Sequence, residues 1–183
     1  MSSKEESTNG VQEITDFNEL VEKHADLVYS VAYRMMGNHQ DAEDVSQDAF
    51  LSAFRAFDRF RGESRVTTWL YRITTNAALM RLQKTKLARS IPETNLEDVE
   101  IADWTASPDR EAVNSDLKEK LREGIDKLDP DLRAAVVLRD VQGLSSVEAA
   151  EILNVTGAAL KSRLHRARLL VRKHLSDYVA APR

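Results

Sequence analysis

Six cations near the C-terminus have the spacing of a binding surface. Lys161, Arg163, Arg166, Arg168, Arg172 and Lys173 fall between Gly157 and Leu175, a stretch without a single acid. Leu160, Leu164, Ala167 and Val171 recur among them at i, i+4, i+7 and i+11, which is the period of one apolar helix face. A helix divided in this way buries one side in its own domain and turns charge toward phosphates and base edges on the other. Lys161, Ser162, His165 and Arg166, near its start, would then reach deepest into a groove. A solvated basic face is the plainer alternative for this helix alone, and the capped helix and tight turn before it argue for the groove.

A second group interleaves aromatics with bases: Phe60, Arg61, Arg65, Trp69, Tyr71 and Arg72. Proteins that hold single-stranded nucleic acid combine stacking rings with phosphate-neutralising charge in this manner. Trp69 also lies on an apolar stripe and is assigned to the core rather than to stacking. A third group is acidic. Asp41, Asp44 and Asp48 stand at i, i+3 and i+7 with Gln47 beside them. That is either a solvated face or a dock for a basic partner, whose encounter the charge would speed.

Other chemistry finds little support. Cysteine is absent, so disulfides and thiolate metal sites are excluded. His24, His39, His165 and His174 are scattered, and His39 with Glu43 supplies only two ligands, too few for a metal site. Nucleophile, base and orienting group do not occur together. The chain therefore reads as no enzyme, with no cofactor and no small-molecule substrate. No apolar run approaches the roughly 20 residues that cross a bilayer, and the polar N-terminus lacks a signal-peptide core. A cytoplasmic protein without membrane insertion is expected. The net charge of −4 hides an asymmetry: eight acids and one base between Glu93 and Asp116, against the basic stretch above.

The elements that would position these groups are helices, and no alternating strand pattern occurs. Residues 1–14 read as a disordered tail. Asp16 can cap a first helix, with Glu19 as capping-box partner, and Gly37 ends it. Asn38 caps a second helix over about 39–57, with Ala42, Val45, Ala49, Ala53, Phe54 and Phe57 inward. A loop over 58–65 precedes a third helix over about 67–85, with Trp69, Leu70, Ile73, Ala77 and Met80 inward. Residues 88–115 carry acids and prolines without periodicity and read as a flexible linker. Order returns near Asp116, where Leu117, Leu121, Ile125 and Leu128 mark a helix. Asp129-Pro130 opens the next one, Gly143 ends it, and Ser145 with Glu148 forms a capping box. Thr156 caps the last helix, to about Tyr178. The fold class is all-α: two small helical domains, 15–87 and 116–183, the second containing a helix-turn-helix.

The segment from Leu128 to Leu175, with Lys161-Ser162-Arg163-Leu164-His165-Arg166-Ala167-Arg168 at its heart, resembles the promoter-binding C-terminal domain of bacterial sigma factors. Asp41-Ala42-Glu43-Asp44-Val45, Gln47, Phe50, Phe60-Arg61-Gly62, Thr68-Trp69-Leu70-Tyr71-Arg72-Ile73 and Asn76 resemble the sigma segment that joins polymerase and melts DNA. Asp129 stands where the family usually has proline, Ala159 where threonine is frequent, and Val66 where many relatives carry an aromatic. The chain is too short for the extra domains of housekeeping sigma factors, so the resemblance is to the extracytoplasmic-function (ECF) class.

That resemblance implies a function and its sites. Asp41, Asp44, Gln47 and Asp48 would dock on core RNA polymerase. Phe60, Arg61, Ser64, Arg65, Arg72 and Asn76 would hold the −10 element, Phe60, Ser64 and Asn76 forming the pocket for a flipped base. Arg139, Lys161, Ser162, Arg163, His165, Arg166 and Arg168 would read the −35 element. The partners are core RNA polymerase, promoter DNA and an anti-sigma factor, the last expected because the chain shows no sensory domain of its own. The acidic linker would thread polymerase channels. An ordinary helix-turn-helix regulator would account for 129–175 but not for the N-terminal motifs.

Overall fold

The computed structural model describes residues 16–60, 65–89 and 112–180. Every element among them is helical: α1 (Phe17–Met36), α2 (His39–Phe57), α3 (Val66–Arg89), α4 (Ala112–Asp126), α5 (Pro130–Val136), α6 (Ser146–Ile152) and α7 (Gly157–Ala180). α5 continues directly into a π-helical turn, Val137–Val141. The N-terminal tail, Arg61, Ser64 and residues 90–111 lie outside the described residues. Helix extends further toward the linker than periodicity suggested, to Arg89 on one side and from Ala112 on the other.

Local signals fix most helix ends. The Asp16 carboxylate accepts from the Asn18 N–H at 3.1 Å. Glu19 does not complete the expected capping box, because it pairs instead with Lys23 at 2.5 Å. Gly37 ends α1 at φ +78°, a conformation that favours glycine, and a Cβ there would stand 2.8 Å from the Asp126 carboxylate, which would have to shift. The Asn38 side chain caps α2 by accepting from Asp41 N–H at 2.9 Å. Asp129 occupies the cap position of α5 without a side-chain cap bond. Its carboxylate accepts from Lys86 at 2.9 Å.

The helix-turn-helix is capped at both helices. Ser145 and Glu148 make the reciprocal capping box of α6 at 2.9 and 3.2 Å. Thr156 accepts from the Ala159 N–H at 3.1 Å at the start of α7. The hydrogen bonds from Ser145 hold the Glu148 carboxyl below its usual range. The reciprocal cap is therefore complete above that range and is lost as pH falls through the depressed value. Ser145→Ala should lower stability by about 1 kcal/mol, measurable as a shift of the urea midpoint with unchanged slope.

Three apolar clusters result. One unites Leu20, Val28, Ala49, Ala53 and Leu70 within the first three helices. Another unites Leu128, Leu132, Ala135, Val136, Leu138, Ala149, Ile152, Leu160, Leu164, Ala167 and Val171 around the helix-turn-helix. The third is shared: Val31, Ala32, Met35, Ala42, Val45 and Ala78 pack with Ala134 and Val137. The two halves are thus in direct contact. Two residues expected inside are out. Phe54 is 62% exposed and Met80 is 72% exposed; Phe54 meets the edge of Phe17 at 5.1 Å. Around α3 the buried positions are Leu70, Thr74, Thr75 and Ala78, so the inward stripe runs beside Met80.

Candidate nucleic-acid and partner interfaces

The last helix is divided as its sequence demands. Leu160, Leu164, Ala167 and Val171 are buried, while Lys161, Ser162, His165 and Arg166 are exposed. Arg139 projects from the π-helical turn and donates to the Ser146 hydroxyl at 3.3 Å. It lines a shallow cleft between α6 and α7 with Lys161, His165 and Arg168. A π-turn of this kind widens the helix by one residue and recurs at functional positions. Here it sets Arg139 beside the recognition surface.

Two of the expected DNA contacts are already engaged. Arg168 forks onto Asp140, at 2.9 and 2.7 Å, and that hydrogen bonding holds its guanidinium above the usual range. Arg163 meets Asp131 at 3.3 Å. Both carboxylates lie on or beside α5 and were not singled out from the sequence. They hold two arginines against the domain and leave Lys161 and Arg166 as the projecting cations of the first turns.

The aromatic–basic surface forms in part. Phe60 stacks on Trp69 with ring centroids 4.6 Å apart and planes 29° from parallel. Trp69 also packs against the first apolar cluster, so the core assignment holds while the same ring carries Phe60. Arg65 is exposed. Arg72 and Asn76 line a cleft whose opposite wall is Ala150, Glu151, Ile152, Asn154, Val155 and Thr156 of the other half. Arg72 meets Glu151 there at 3.0 Å.

The acidic face of α2 contains a cation that the sequence reading missed. Arg81 of α3 reaches Asp41 at 2.5 Å and Asp44 at 2.7 Å. Its hydrogen bond to Asp41 holds the guanidinium above its ordinary range. Asp48 and Gln47 remain exposed. The face is therefore a partly neutralised acidic surface whose free charge lies toward Asp48. Arg81 is the only charged residue on α3 between Arg72 and Lys84, and that isolation was the available signal.

An all-helical set of described residues, with a basic outer face on the last helix and an interleaved aromatic–basic surface on the first three, has the make-up of a DNA-binding transcription factor. Sigma-70 region 2 matches residues 20–87, and Sigma-70, region 4, matches residues 118–171. The ECF RNA polymerase sigma factor SigW of Bacillus subtilis is 34% identical over 168 residues, covering 88% of this chain and 89% of the relative. The ECF RNA polymerase sigma-E factor of Escherichia coli K12 is 34% identical over 160 residues, 83% of this chain and 82% of the relative. Among solved structures, CnrH in complex with the cytosolic domain of CnrY superposes with TM-score 0.59 at 28% identity, covering 88% of each chain. The sigma factor RpoE in complex with the anti-sigma factor NepR from Bartonella quintana shares the fold, with TM-score 0.64 at 24% identity over 89% of this chain and 98% of that one. The chain belongs to the ECF class of RNA polymerase sigma factors. Among the described residues no helix is long and apolar enough to cross a membrane, and no cluster of three metal-ligating side chains occurs.

Proposed function

We propose that this protein directs promoter-specific transcription initiation in the cytoplasm, with its contacts divided among three surfaces. The α2 face of Asp41, Asp44, Gln47 and Asp48 docks on core RNA polymerase. Phe60 on Trp69, with Arg61, Ser64, Arg65, Arg72 and Asn76, holds the separated −10 strand. Arg139, Lys161, Ser162, Arg163, His165, Arg166 and Arg168 meet the −35 duplex, where the projecting Lys161 and Arg166 read base edges and the carboxylate-held Arg163 and Arg168 contact the backbone. The observation that carries this reading is the division of α7 into a buried apolar stripe and a basic outer face, behind a capped α6. An anti-sigma factor is the expected regulator, in keeping with the anti-sigma factor NepR bound to RpoE in its complex.

The reading is tested by promoter-dependent run-off transcription with purified core polymerase. A start-site-specific transcript that requires this chain supports it, and core activity unchanged by the chain refutes it. The polymerase face has its own test. Asp44→Arg combined with Asp48→Arg sets two cations beside Arg81 on a surface meant for a basic partner. Core affinity should fall about tenfold or more at low salt, where such steering is least screened. Unchanged affinity in a core-binding titration, with helicity intact, would remove α2 from the docking surface.

A further inference from the structure

One cation serves the acidic face of α2 from the neighbouring helix. Asp41, Asp44 and Asp48 follow one another at intervals of three and four residues, and like charges so spaced repel along a helix surface. Arg81 of α3 enters between the first two. Its Nε and one terminal nitrogen donate to Asp41 Oδ1 at 3.0 and 2.5 Å, and the same terminal nitrogen donates to Asp44 Oδ2 at 2.7 Å.

The second oxygen of Asp41 is occupied as well. It accepts from the Asn38 side-chain amide at 2.8 Å, while the Asn38 side-chain oxygen accepts from the Asp41 N–H at 2.9 Å. Asp44 differs. Arg81 holds its Oδ2, and among the described residues Oδ1 takes no hydrogen bond. Its side chain is 48% exposed against 35% for Asp41, and Gln47 and Asp48 are exposed beside it. A chain of bonds thus runs from Asn38, the cap of α2, through Asp41 and Arg81 to Asp44, and leaves one carboxylate oxygen unbonded at its end.

Stability does not account for this arrangement, because ion pairs as exposed as these contribute little. Geometry does. A guanidinium is a rigid planar fork, and two carboxylates bound to one fork keep a fixed separation and orientation. A contact group that is fixed beforehand loses less freedom when a partner docks on it.

We propose that Arg81 is a positioning residue for polymerase docking: it is braced by Asp41 and holds Asp44, so that the unbonded oxygen of Asp44 meets the basic partner beside Gln47 and Asp48. This rests on the α2 docking surface proposed above and divides that surface into a support, Asp41 with Arg81, and a contact set, Asp44, Gln47 and Asp48. It also runs against simple charge. Arg81 is a cation on a face meant for a basic partner, so by charge alone its loss would speed encounter and tighten binding. By positioning, its loss lets the Asp44 carboxylate swing and shortens the life of the complex.

Arg81→Lys separates the two effects, because it keeps the charge and removes the fork. The full-length chain is bound to purified core polymerase, and association and dissociation rates are recorded at fixed salt. Arg81→Lys should weaken core affinity about threefold or more, through faster dissociation with the association rate unchanged. Arg81→Gln should dissociate at least as fast while associating no more slowly than the unaltered chain. Helicity is checked for both; if the glutamine variant loses it, the lysine variant decides alone. A double-mutant cycle locates the effect. On an Asp44→Asn background the lysine change should cost little more, whereas on an Asp48→Asn background it should cost as much as it does alone. A lysine variant that binds core as tightly as the unaltered chain overturns the proposal. So does a folded glutamine variant that binds more tightly with unaltered dissociation, or a lysine effect of undiminished size on the Asp44→Asn background. The docking surface has its separate test in Asp44→Arg with Asp48→Arg. If that pair leaves core affinity unchanged, the surface falls and Arg81 with it; if the pair weakens binding and Arg81→Lys does not, only the positioning role is lost.

Discussion

Replacing Arg133 with leucine should destabilise the chain by about 3–5 kcal/mol, the range for removing one partner from a buried charged network. Arg133 is buried, and its guanidinium donates to Met35 O, Asp126 O and Leu128 O. Burial pushes its pKa down and the neighbouring Asp126 opposes that shift; a guanidinium keeps its charge in proteins. Leucine would fill much of the volume while leaving three carbonyls without a donor. It would also leave Asp126, whose own carboxyl is pushed up by burial, with Arg122 alone to offset the charge. Each lost bond from a charged donor is worth about 1.5–3 kcal/mol. Two of these carbonyls close the turn from α4 to α5 and the third closes α1, so the loss falls on the helix-turn-helix and on the joint between halves together. In urea the midpoint should move by at least about 1 M for a slope of 1–3 kcal/mol per molar. Arg133→Lys should lie between, keeping the charge without the fork. A leucine variant within about 1 kcal/mol of the unaltered chain would mean that solvent replaces the guanidinium freely.

The contrast between Arg133 and Ser145 explains which features the sequence disclosed. Ser145 and Glu148, Asn38 and Asp41, Thr156 and Ala159 are partners three residues apart, so composition and spacing suffice to pair them. The buried stripe of α7 is equally local: four positions at helical period on a helix whose other residues are charged. Arg133 binds a carbonyl 98 residues away, and Arg81 binds carboxylates 40 and 37 residues away. Nothing in local spacing can select such partners. Phe54 and Met80 show a related loss. Each sits at the margin of an apolar stripe, and packing of three helices uses the centre of the stripe and leaves the margin in solvent. The contact between halves did leave a trace. Arg133-Ala134-Ala135-Val136-Val137-Leu138 has no polar side beyond one cation, and a helix apolar all round is buried all round. A helix-turn-helix needs only one face of that segment for its own core, so the other face implied a second surface to meet it. Reading the chain as two small helical domains joined by a flexible linker over 88–115 passed over that implication.

Arg166→Ala and Arg172→Ala should separate sequence reading from backbone attraction on α7. Arg163 and Arg168 are held by Asp131 and Asp140, which fixes their guanidinium groups against the domain edge in the posture of backbone contacts. Arg166 is exposed two residues before Arg168 on the outer face, close enough to the start of the helix to enter the major groove. Loss of a good bidentate base contact costs about 1–3 kcal/mol, so Arg166→Ala should weaken binding to a cognate −35 duplex roughly 5- to 150-fold and change binding to random duplex much less. Arg172 is exposed nearly two turns further along, where the proposed docking would set it against the duplex flank. Its loss should weaken cognate and random duplex equally and lower the slope of log affinity against log salt by about 1, the signature of one fewer phosphate contact. Asp140→Asn adds a check from the other side. It releases Arg168 from its fork, so salt-dependent affinity should change while discrimination between the duplexes stays intact. The measurement is a salt titration of both duplexes with each variant, using a −35 sequence taken from mapped transcript starts. Equal losses for Arg166→Ala and Arg172→Ala on both duplexes would mean that α7 contributes charge but no reading, and that promoter choice resides in the −10 contacts of the other half.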